Sequence, residues 1–510
     1  MSWEPTPLEE KRLEKLAALR EAGVDPYPLR TERTHRIDEA LAEFEAHEAA
    51  VAEDESLEPA TVTVVGRLIS SRDMGKTVFA DIEDGYGRIQ LFMRRNDIGE
   101  ASHLLFRKQV DLGDFVGATG KLFRTRMGEI SVRVSEWQML SKAVTPLPIG
   151  KEQEVDGEVQ RYGAFADVEE RYRQRYADLA VNPEVRDVFR TRARVLSAMR
   201  RFLDDHDFLE VETPVMQPLY GGAAARPFVT HHNQLKQDLY LRISFELYLK
   251  RLLVGGYERV YEIGRDFRNE GVDATHNPEF TQMEFYAAYW DYNDVMDFTE
   301  RMVAYIAEQV LGTTTITYGE YEISLAAPWE RITLREAIKK HAGIDYMEHL
   351  TADSLRAAMR GIGAEAPSEA SWGRLVDYLL SDYVEPHLIQ PTFVTEYPRD
   401  ISPLAKRIPG DDYHVERFEY FIATMEMGNA FSELNDPLDQ QARFEEMQAL
   451  YKADDDEAHP IDEDYLRAMR YGMPPNGGFG TGVDRLTMLL TNNSTIREVL
   501  LFPHLRSRQD

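Results

Sequence analysis

Cysteine is absent from the 510 residues of this sequence. Its absence excludes disulfide bonds, thiolate metal sites and a cysteine nucleophile, and it fits a reducing compartment. No apolar run approaches the roughly 20 residues of a membrane-spanning helix. The sequence begins with charged rather than apolar residues, MSWEPTPLEEKR, so no signal peptide is predicted. These absences predict a cytoplasmic protein without a membrane partner.

Basic residues are scarce, because 59 Lys and Arg face 89 Asp and Glu and leave a net charge of -30. Phosphate contacts need basic groups, so this balance argues against a general nucleic-acid binder and against a DNA partner. Residues 61–142 differ, with 13 Lys and Arg against 10 Asp and Glu. That mildly basic segment is compatible with local RNA contact, and equally with a neutral domain beside a solvated acidic surface.

The length suffices for two to four domains, and changes in composition divide the chain into four segments. Helical patterns of apolar residues cover residues 8–22, 37–55 and 183–206. We predict an α+β fold with an N-terminal helical extension at 1–60, a β-barrel at 61–145, a linker with a helical end at 146–181, and a large domain at 182–510.

Five short strands separated by Gly-rich turns fill residues 61–142. This pattern predicts a five-stranded barrel, for which the OB-fold is the common solution. Such barrels bind single-stranded nucleic acid by stacking bases on aromatic rings beside basic groups. The candidates for an exposed binding face are Arg72, Phe79, Gln90 and Glu129. Each also has a plain structural alternative, since Phe79 suits a core and Arg72 suits a solvated turn.

The segment from Arg259 to Tyr286 contains two runs of alternating apolar and polar residues around a polar loop. Alternation indicates half-buried strands, and the segment is predicted to be an antiparallel hairpin. Side chains repeat every two residues along a strand, so polar groups of both strands share a face. That face carries Glu262, Gly264, Asp266 and Arg268 from the first strand, and Phe280, Gln282, Glu284 and Tyr286 from the second.

Two further stretches frame this hairpin. The first, FLEVETPVM, reads as a strand that Pro214 restricts to an edge or an interface. The second, GFGTGVDR, ends at Arg485 and lacks the features of a dinucleotide fingerprint or a P-loop. Its glycines let a backbone approach a flat ligand, although glycines before a helix are also common structural features.

Carboxylates recur on predicted strands among apolar neighbours, whereas clustered histidines do not occur. Oxygen-only sites suit Mg²⁺, which commonly bridges protein carboxylates and substrate phosphates. Arginine is the usual bidentate ligand of phosphate, and Arg268 and Arg485 are available beside His276. This combination indicates nucleotide chemistry by positioning and charge stabilisation. The carboxylates are Glu246, Glu262, Glu270, Glu284, Glu419, Glu426 and Glu433.

These residues carry a resemblance to the class II aminoacyl-tRNA synthetases, and within them to the lysyl-tRNA synthetases. FLEVETPVM with its preceding helix resembles the first class II motif, at about 183–216. FRNEG and THNPEF resemble the second motif, at about 259–286, and GGFGTGVDR resembles the third, at about 476–490. The barrel in front is similar to that of the aspartate, asparagine and lysine subgroup. ELYLKRLLVGG, GNAFSELND and LLFPHLR are similar to lysyl enzymes.

The resemblance implies an antiparallel catalytic sheet flanked by helices within 182–510, with a helical insertion within about 330–386, and a homodimer. It implies that lysine is activated with ATP to lysyl-adenylate and then transferred to tRNA(Lys), with Mg²⁺ as cofactor. Arg268, Glu270, His276 and Arg485 are then the catalytic residues. Arg268 would hold the α-phosphate and Arg485 the γ-phosphate.

The remaining sites follow from the same resemblance, residue by residue. The ATP site comprises Arg268, Glu270, His276, Asn277, Phe280, Glu419, Gly482 and Arg485. The metal site comprises Glu419 and Glu426. The lysine pocket comprises Gly222, Glu246, Glu284, Tyr286, Asn429, Phe431 and Glu433. Arg72, Phe79, Gln90 and Glu129 match the anticodon-reading positions of the barrel.

The charge of the pocket favours lysine over aspartate, because a cationic side chain needs carboxylates and an aspartate pocket would need Arg or Lys. Two alternatives remain: a relative specific for aspartate or asparagine, and a catalytically silent paralogue that binds RNA. Two local features bear on the site. Ser244-Phe245 replaces a pair that is usually small in the family, and Phe245 is expected to narrow the pocket. Glu426 and Glu433 differ by seven positions, so either a bulge intervenes or they serve different sides of the substrate.

Overall fold

A computed structural model of the protein describes residues 3–51, 57–155, 158–162, 165–450 and 460–508. Internal contacts divide the chain into two compact units, Met1–Val181 and Asn182–Asp510. The first unit begins with helices α1 (Pro7–Glu21) and α2 (Ile37–Val51). Thr6 and Glu9 form a capping box that fixes the start of α1. Both predicted helices are confirmed, although residues 52–55 of the second lie outside the described residues.

The predicted five-stranded barrel is confirmed as a closed barrel with strand order β1-β2-β3-β5-β4. Alternation creates its core, since Val62, Val64 and Leu68 of the first strand point inward and are buried. Two helices connect the third and fourth strands. The elements are β1 (Thr61–Asp73), β2 (Thr77–Glu83), β3 (Arg88–Arg94), α3 (Arg95–Ile98), α4 (Glu100–Gln109), β4 (Phe115–Arg124) and β5 (Ile130–Ser141).

The predicted linker contains a pair of strands in addition to its predicted helical end. Strands β6 (Lys151–Val155) and β7 (Glu158–Tyr162) pair in antiparallel fashion. The sequence Asp-Gly between them is a strong hairpin signal that the sequence analysis missed. The helical end is confirmed as α5 (Val168–Arg173) and α6 (Arg175–Val181).

An eight-stranded sheet organises the second unit, with the order β16-β17-β18-β19-β20-β13-β12-β8. Its inner pairs from β17 to β12 are antiparallel, whereas β16 and β8 pair in parallel at the two edges. The strands are β8 (Leu209–Glu210), β12 (Arg259–Phe267), β13 (Glu279–Ala288), β16 (Glu330–Thr333), β17 (Thr392–Pro398), β18 (His414–Ile422), β19 (Met425–Ser432) and β20 (Asn476–Gly482).

Helices cover one face of this sheet, which buries a core that includes Met199, Phe285, Phe298 and Phe479. The covering helices are α7 (Pro183–Asp204), α9 (Tyr292–Leu311) and α15 (Val483–Leu490). The remaining helices are α8 (Glu246–Val254), α10 (Leu334–Ala342), α11 (Ala352–Gly361), α12 (Trp372–Leu379), α13 (Pro437–Leu450) and α14 (Glu463–Arg470). Smaller sheets contain β9 (Met216–Gln217), β10 (Val229–His232), β11 (Gln237–Leu241), β14 (Thr315–Tyr318) and β15 (Tyr321–Ser324).

One expectation for this unit needs correction. FLEVETPVM was expected to form one strand that carries Pro214, but only its two ends belong to sheets, as β8 at an edge of the eight-stranded sheet and as Met216 of β9 at an edge of the three-stranded sheet. Pro214 lies between them, outside both strands. The range of about 330–386, within which a helical insertion was predicted, contains α10, α11 and α12 after β16.

The bulge considered for Glu426 and Glu433 is present in β19. Tyr420 pairs with Gly428 and Phe421 pairs with Glu426, so Met427 is the extra residue. Thr481 Oγ1 donates a hydrogen bond of 2.8 Å to the carbonyl oxygen of Met427. The bulge therefore turns Glu426 to the face of the sheet that also presents Asn429 and Phe431.

Candidate active site

A cavity of about 330 Å³ lies on the polar face of the central sheet, opposite the helical core. Its wall contains every residue predicted for ATP, amino-acid and metal binding. These residues come from segments that are far apart in the sequence, and the antiparallel pairing of β12, β13, β18, β19 and β20 brings most of them together. They are Gly222, Glu246, Arg268, Glu270, His276, Asn277, Phe280, Glu284, Tyr286, Glu419, Glu426, Asn429, Phe431, Glu433, Gly482 and Arg485.

Glycines on β20 create the space for this cavity. Gly478 pairs with Tyr286 and Gly480 pairs with Glu284, while Phe479 between them points into the core. A Cβ atom at Gly478 would overlap the Glu433 carboxylate and the Tyr286 ring. The strand therefore presents bare backbone to the cavity, as the Gly-rich sequence predicted.

One end of the cavity is acidic and buried. Glu246, Glu284 and Glu433 are only 4%, 3% and 1% exposed. Ser244 Oγ donates to Glu284 Oε1 at 2.9 Å, and the Tyr286 hydroxyl donates to Glu284 Oε2 at 3.2 Å. Burial, together with neighbouring carboxylates, raises the pKa of Glu284 to about 8. Three buried carboxylates at this end favour the binding of a cation.

Gly222 closes the acidic end from the side. It has a φ of +89°, and a Cβ there would stand 2.9 Å from Ser244 Oγ and 3.0 Å from Glu246 Cβ. A larger residue would be strained in this conformation and would displace both neighbours. The backbone at Gly222 therefore passes close to Ser244 and Glu246.

Phe245 does not narrow the pocket, so that expectation was wrong. Its side chain is fully buried and packs in a cluster with Leu249, Leu253 and Val260. The Arg242 guanidinium lies 4.1 Å from the centre of its ring. The turn into α8 directs Ser244 to the cavity and Phe245 away from it.

Lys250 is a residue of this region that the sequence analysis missed. Its ammonium lies 2.5 Å from Glu246 Oε1 and contacts Glu433 Oε2, and its side chain is fully buried. Burial acts to lower the pKa of Lys250, but the two carboxylates outweigh it and raise the pKa overall. The spacing of four residues between Glu246 and Lys250 on a predicted helix was the available signal.

The other end of the cavity carries the arginines. The Arg268 guanidinium lies 5.1 Å from the centre of the Phe280 ring, and Nε donates to the Ile243 carbonyl at 3.4 Å. Asp266 beside it is fully buried, and burial raises its pKa to about 7 although Arg268 and Arg242 oppose the rise. Glu262 is paired with Arg242 at 2.6 Å, which explains its place outside the cavity wall.

Arg485 and His276 meet at this end although they belong to different motifs. Arg485 Nη2 lies 3.2 Å from His276 Nε2, and His276 Nδ1 lies 2.8 Å from Asp273 Oδ2. Arginine only donates, so Nε2 accepts and the ring proton on Nδ1 is donated to Asp273. Glu270 is exposed at the rim, where the hairpin loop begins.

Glu419 and Glu426 lie on neighbouring strands of the wall. Glu419 accepts hydrogen bonds from Tyr397 at 2.9 Å and from Arg417 at 2.6 Å. Burial raises the pKa of Glu419 to about 8, Arg417 opposes the rise, and Glu426 adds to it. Within the described ranges, no group of three or more His, Cys, Asp or Glu forms a metal cage. Two carboxylates suit Mg²⁺ when substrate phosphates supply further oxygens.

The four residues predicted to read an anticodon lie on the first unit. Arg72 is exposed and pairs with Phe79, whose ring lies 5.2 Å from that of Phe92. Gln90 was expected to be exposed but is only 3% exposed, because its side-chain amide donates to Glu129 at 2.7 Å and accepts from Ser131 at 3.0 Å. Gln90 thus holds the exposed Glu129 in place.

Two aromatic residues of the barrel were missed. The Phe92 and Phe123 rings are 5.3 Å apart and continue the row that begins with Phe79. All three rings are half-buried, whereas their strand neighbours Val78, Leu91 and Leu122 fill the barrel core. Alternation on β2, β3 and β4 was the signal that could have found them.

Comparisons with known proteins agree with this arrangement. A family described as OB-fold nucleic acid binding domain matches residues 62–140. The family of class II tRNA synthetases (D, K and N) matches residues 167–506. Among the helices that the structure describes, none is long and apolar enough to cross a membrane.

Curated relatives match the chain over almost its whole length. A lysine–tRNA ligase of Roseiflexus sp. (strain RS-1) is 53% identical over 503 residues, which cover 98% of this chain and 99% of the relative. The lysine–tRNA ligase of Chloroflexus aurantiacus is 53% identical over 504 residues, with 99% of each chain covered. That of Bacillus subtilis (strain 168) is 48% identical over 497 residues, covering 98% and 97%. The chain therefore belongs to the class II tRNA synthetases, within the family of lysine–tRNA ligases.

Proposed function

We propose that this enzyme is an ATP-dependent lysine–tRNA ligase that forms lysyl-adenylate and pyrophosphate and then charges tRNA(Lys). The observation that carries the proposal is the polarity of the cavity. Three buried carboxylates occupy one end, and Arg268, Arg485 and His276 occupy the other. A molecule with a cationic side chain and a carboxylate, placed against a triphosphate, fits both ends at once.

The negative charge at the acidic end of the cavity selects an amino acid with a positively charged side chain. A charge pair about 4 Å apart is worth roughly 4 kcal/mol at an effective dielectric of about 20. The lysine ammonium gains such interactions with Glu284 and Glu433, whereas an aspartate side chain would be repelled by similar amounts. This argument favours lysine over aspartate, and over asparagine, whose neutral amide gains no ion pair.

The chemistry requires positioning and charge stabilisation rather than a covalent enzyme intermediate. A lysine carboxylate oxygen attacks the α-phosphorus of ATP, and the bond from that phosphorus to the bridging oxygen of pyrophosphate breaks. In this proposal Arg268 holds the α-phosphate of ATP and Arg485 holds the γ-phosphate. The ribose hydroxyl at the 3′ end of tRNA then attacks the lysyl carbonyl, and AMP leaves.

We also propose that Glu419 and Glu426 hold Mg²⁺ together with the phosphates of ATP. The support is their shared position on the cavity wall and the all-oxygen donor set. The ion, when bound, neutralises phosphate charge. Arg417 holds one Glu419 oxygen at 2.6 Å and Tyr397 holds the other at 2.9 Å. These contacts fix the orientation of the carboxylate.

The anticodon loop is proposed to bind the outer face of the barrel, supported by the row of Phe79, Phe92 and Phe123 beside Arg72. A homodimer is supported by exposed apolar side chains in the first motif, at Leu209, Val215 and Met216, and just after it, at Leu219. The cytoplasmic location and the absence of DNA and membrane partners stay predictions.

The deciding experiment is ATP–pyrophosphate exchange with each of the twenty amino acids, with Mg²⁺ and without tRNA. Exchange with lysine alone supports the reaction, the cofactor and the pocket together. Exchange with aspartate or asparagine would leave the fold assignment unchanged, but the proposed substrate would be wrong. ATP binding without adenylate formation would favour a silent RNA-binding paralogue.

A further inference from the structure

An ammonium group that belongs to the enzyme itself lies behind the acidic pocket, in contact with two of its carboxylates. Lys250 projects from α8 and contacts Glu246 one turn earlier and Glu433 just after β19. Its Nζ lies 5.6 Å from the centre of the Phe431 ring and 5.8 Å from that of Tyr286. Two of the three pocket carboxylates therefore already have a cationic partner before any substrate binds.

A buried ammonium paired with two carboxylates contributes little net stability to the fold. Removing an ammonium and two carboxylates from water costs several kcal/mol per ion, and the pairing often only offsets that cost. Lys250 is fully buried, and so is its neighbour Tyr465 of α14. A charge kept at such a place points to a requirement of the neighbouring binding site.

The binding site requires a pocket charge that matches the charge of the ligand. Glu246, Glu284 and Glu433 carry three negative charges when ionised, and Lys250 cancels one of them. Free lysine brings two ammonium groups, one on the α-carbon and one on the side chain. The pocket with Lys250 therefore matches the two cationic groups of lysine in charge, and without Lys250 it would hold one uncompensated buried carboxylate.

We propose that Lys250 is a positioning residue of the amino-acid pocket, which holds Glu246 and Glu433 in place and sets the pocket charge to that of lysine. This inference rests on the proposed lysine pocket. Lys250 does not line the cavity wall, so it acts through the carboxylates and touches no reacting atom.

The first test compares Lys250→Met with the wild type in lysine-dependent ATP–pyrophosphate exchange. The KM for lysine should rise at least about tenfold, whereas the KM for ATP stays within about twofold and kcat falls less than KM rises. Lys250 also acts to lower the pKa of Glu246 and Glu433. In Lys250→Met, the pH range over which the KM for lysine falls should therefore lie at higher pH than in the wild type.

Two comparison variants separate charge from packing. Lys250→Arg keeps the charge and should recover part of the lysine KM. Arg443→Met removes another buried helix cation, 3% exposed and paired with Asp439 four residues earlier, outside the cavity wall. It should leave the lysine KM unchanged. A wild-type lysine KM in folded Lys250→Met, or equal KM values in the Met and Arg variants, would overturn the inference.

A stability measurement keeps the inference testable if Lys250→Met folds poorly. The double variant Lys250→Met/Glu433→Gln removes both charges, so its melting temperature should exceed that of Lys250→Met alone. If the double variant is no more stable than Lys250→Met, the inference that Lys250 compensates the charge of Glu433 is overturned. This measurement needs no substrate. It therefore tests Lys250 separately from the proposed function, which fails if the wild type shows no exchange with lysine.

Discussion

Lysine binding should release a proton and strengthen as pH rises, because Glu284 is mostly protonated at neutral pH before lysine binds. The pKa of Glu284 is raised to about 8 by burial and by neighbouring carboxylates. At pH 7, roughly nine in ten molecules therefore carry a proton on this group. The proton must leave before Glu284 can pair with a substrate ammonium.

The size of the effect follows from the same geometry. A substrate ammonium about 4 Å from Glu284 contributes roughly 4 kcal/mol, enough to keep the carboxylate ionised throughout pH 6–8. The affinity for lysine should then rise roughly tenfold from pH 6 to pH 7 and about fivefold from pH 7 to pH 8. The gain levels off above the pKa of the empty site, where no proton remains to be displaced.

Isothermal titration calorimetry of the enzyme with lysine measures both quantities. Titrations at pH 7 in buffers of different ionisation enthalpy should give about 0.9 proton released per lysine bound. Glu284→Gln should bind lysine more weakly, with less proton release and a flatter pH dependence. Affinity that does not change between pH 6 and pH 8, or proton uptake on binding, would refute the reasoning.

Three further variants test other parts of the molecule. Gly478→Ala places a Cβ against Glu433, and overpacking of roughly 1–3 kcal/mol should raise the KM for lysine about 5- to 150-fold. Glu426→Gln should raise the Mg²⁺ concentration for half-maximal exchange several-fold, since one of two proposed oxygen donors is weakened. Phe79→Ala should raise the KM for tRNA about 5- to 150-fold through lost base stacking, with exchange in the absence of tRNA unchanged.

Each of these variants has a control or an outcome that contradicts it. Gly361→Ala introduces a methyl group with nothing within 4 Å, so its kinetics should equal those of the wild type. An unchanged Mg²⁺ requirement in Glu426→Gln would remove this residue from the metal site. Loss of exchange in Phe79→Ala would mean that the substitution damages more than tRNA binding.

Local patterns were sufficient to predict the hairpin and the glycine strand. Alternation along β12 and β13 requires only neighbouring residues, so the shared face of Arg268 and Glu284 followed from a single segment. The sequence left the bulge as one of two alternatives. A separation of seven positions between Glu426 and Glu433 does not show whether an extra residue is present or where it lies.

Long-range partners explain most of what was missed. Lys250 and Glu433 are distant in sequence and meet only when α8 packs against the end of β19. Gln90 lies on a strand and was expected to be exposed, but β5 beside it supplies Ser131 and buries the amide. Phe245 was misassigned for a related reason, since the direction of a side chain at the start of a helix depends on what the helix packs against.

The single extra residue in β19 links the proposed metal site to the proposed lysine pocket. In a regular strand without the bulge, Glu426 would lie on the same face as Gly428 and Ala430 and would point toward the helical core rather than the cavity. In the proposed site, one strand serves the phosphates through Glu426 and the amino acid through Asn429, and the backbone geometry fixes the separation of these two residues. A shift of this strand would move both subsites together, so evolution can retune the amino-acid pocket by side-chain exchange but cannot slide it independently of the nucleotide.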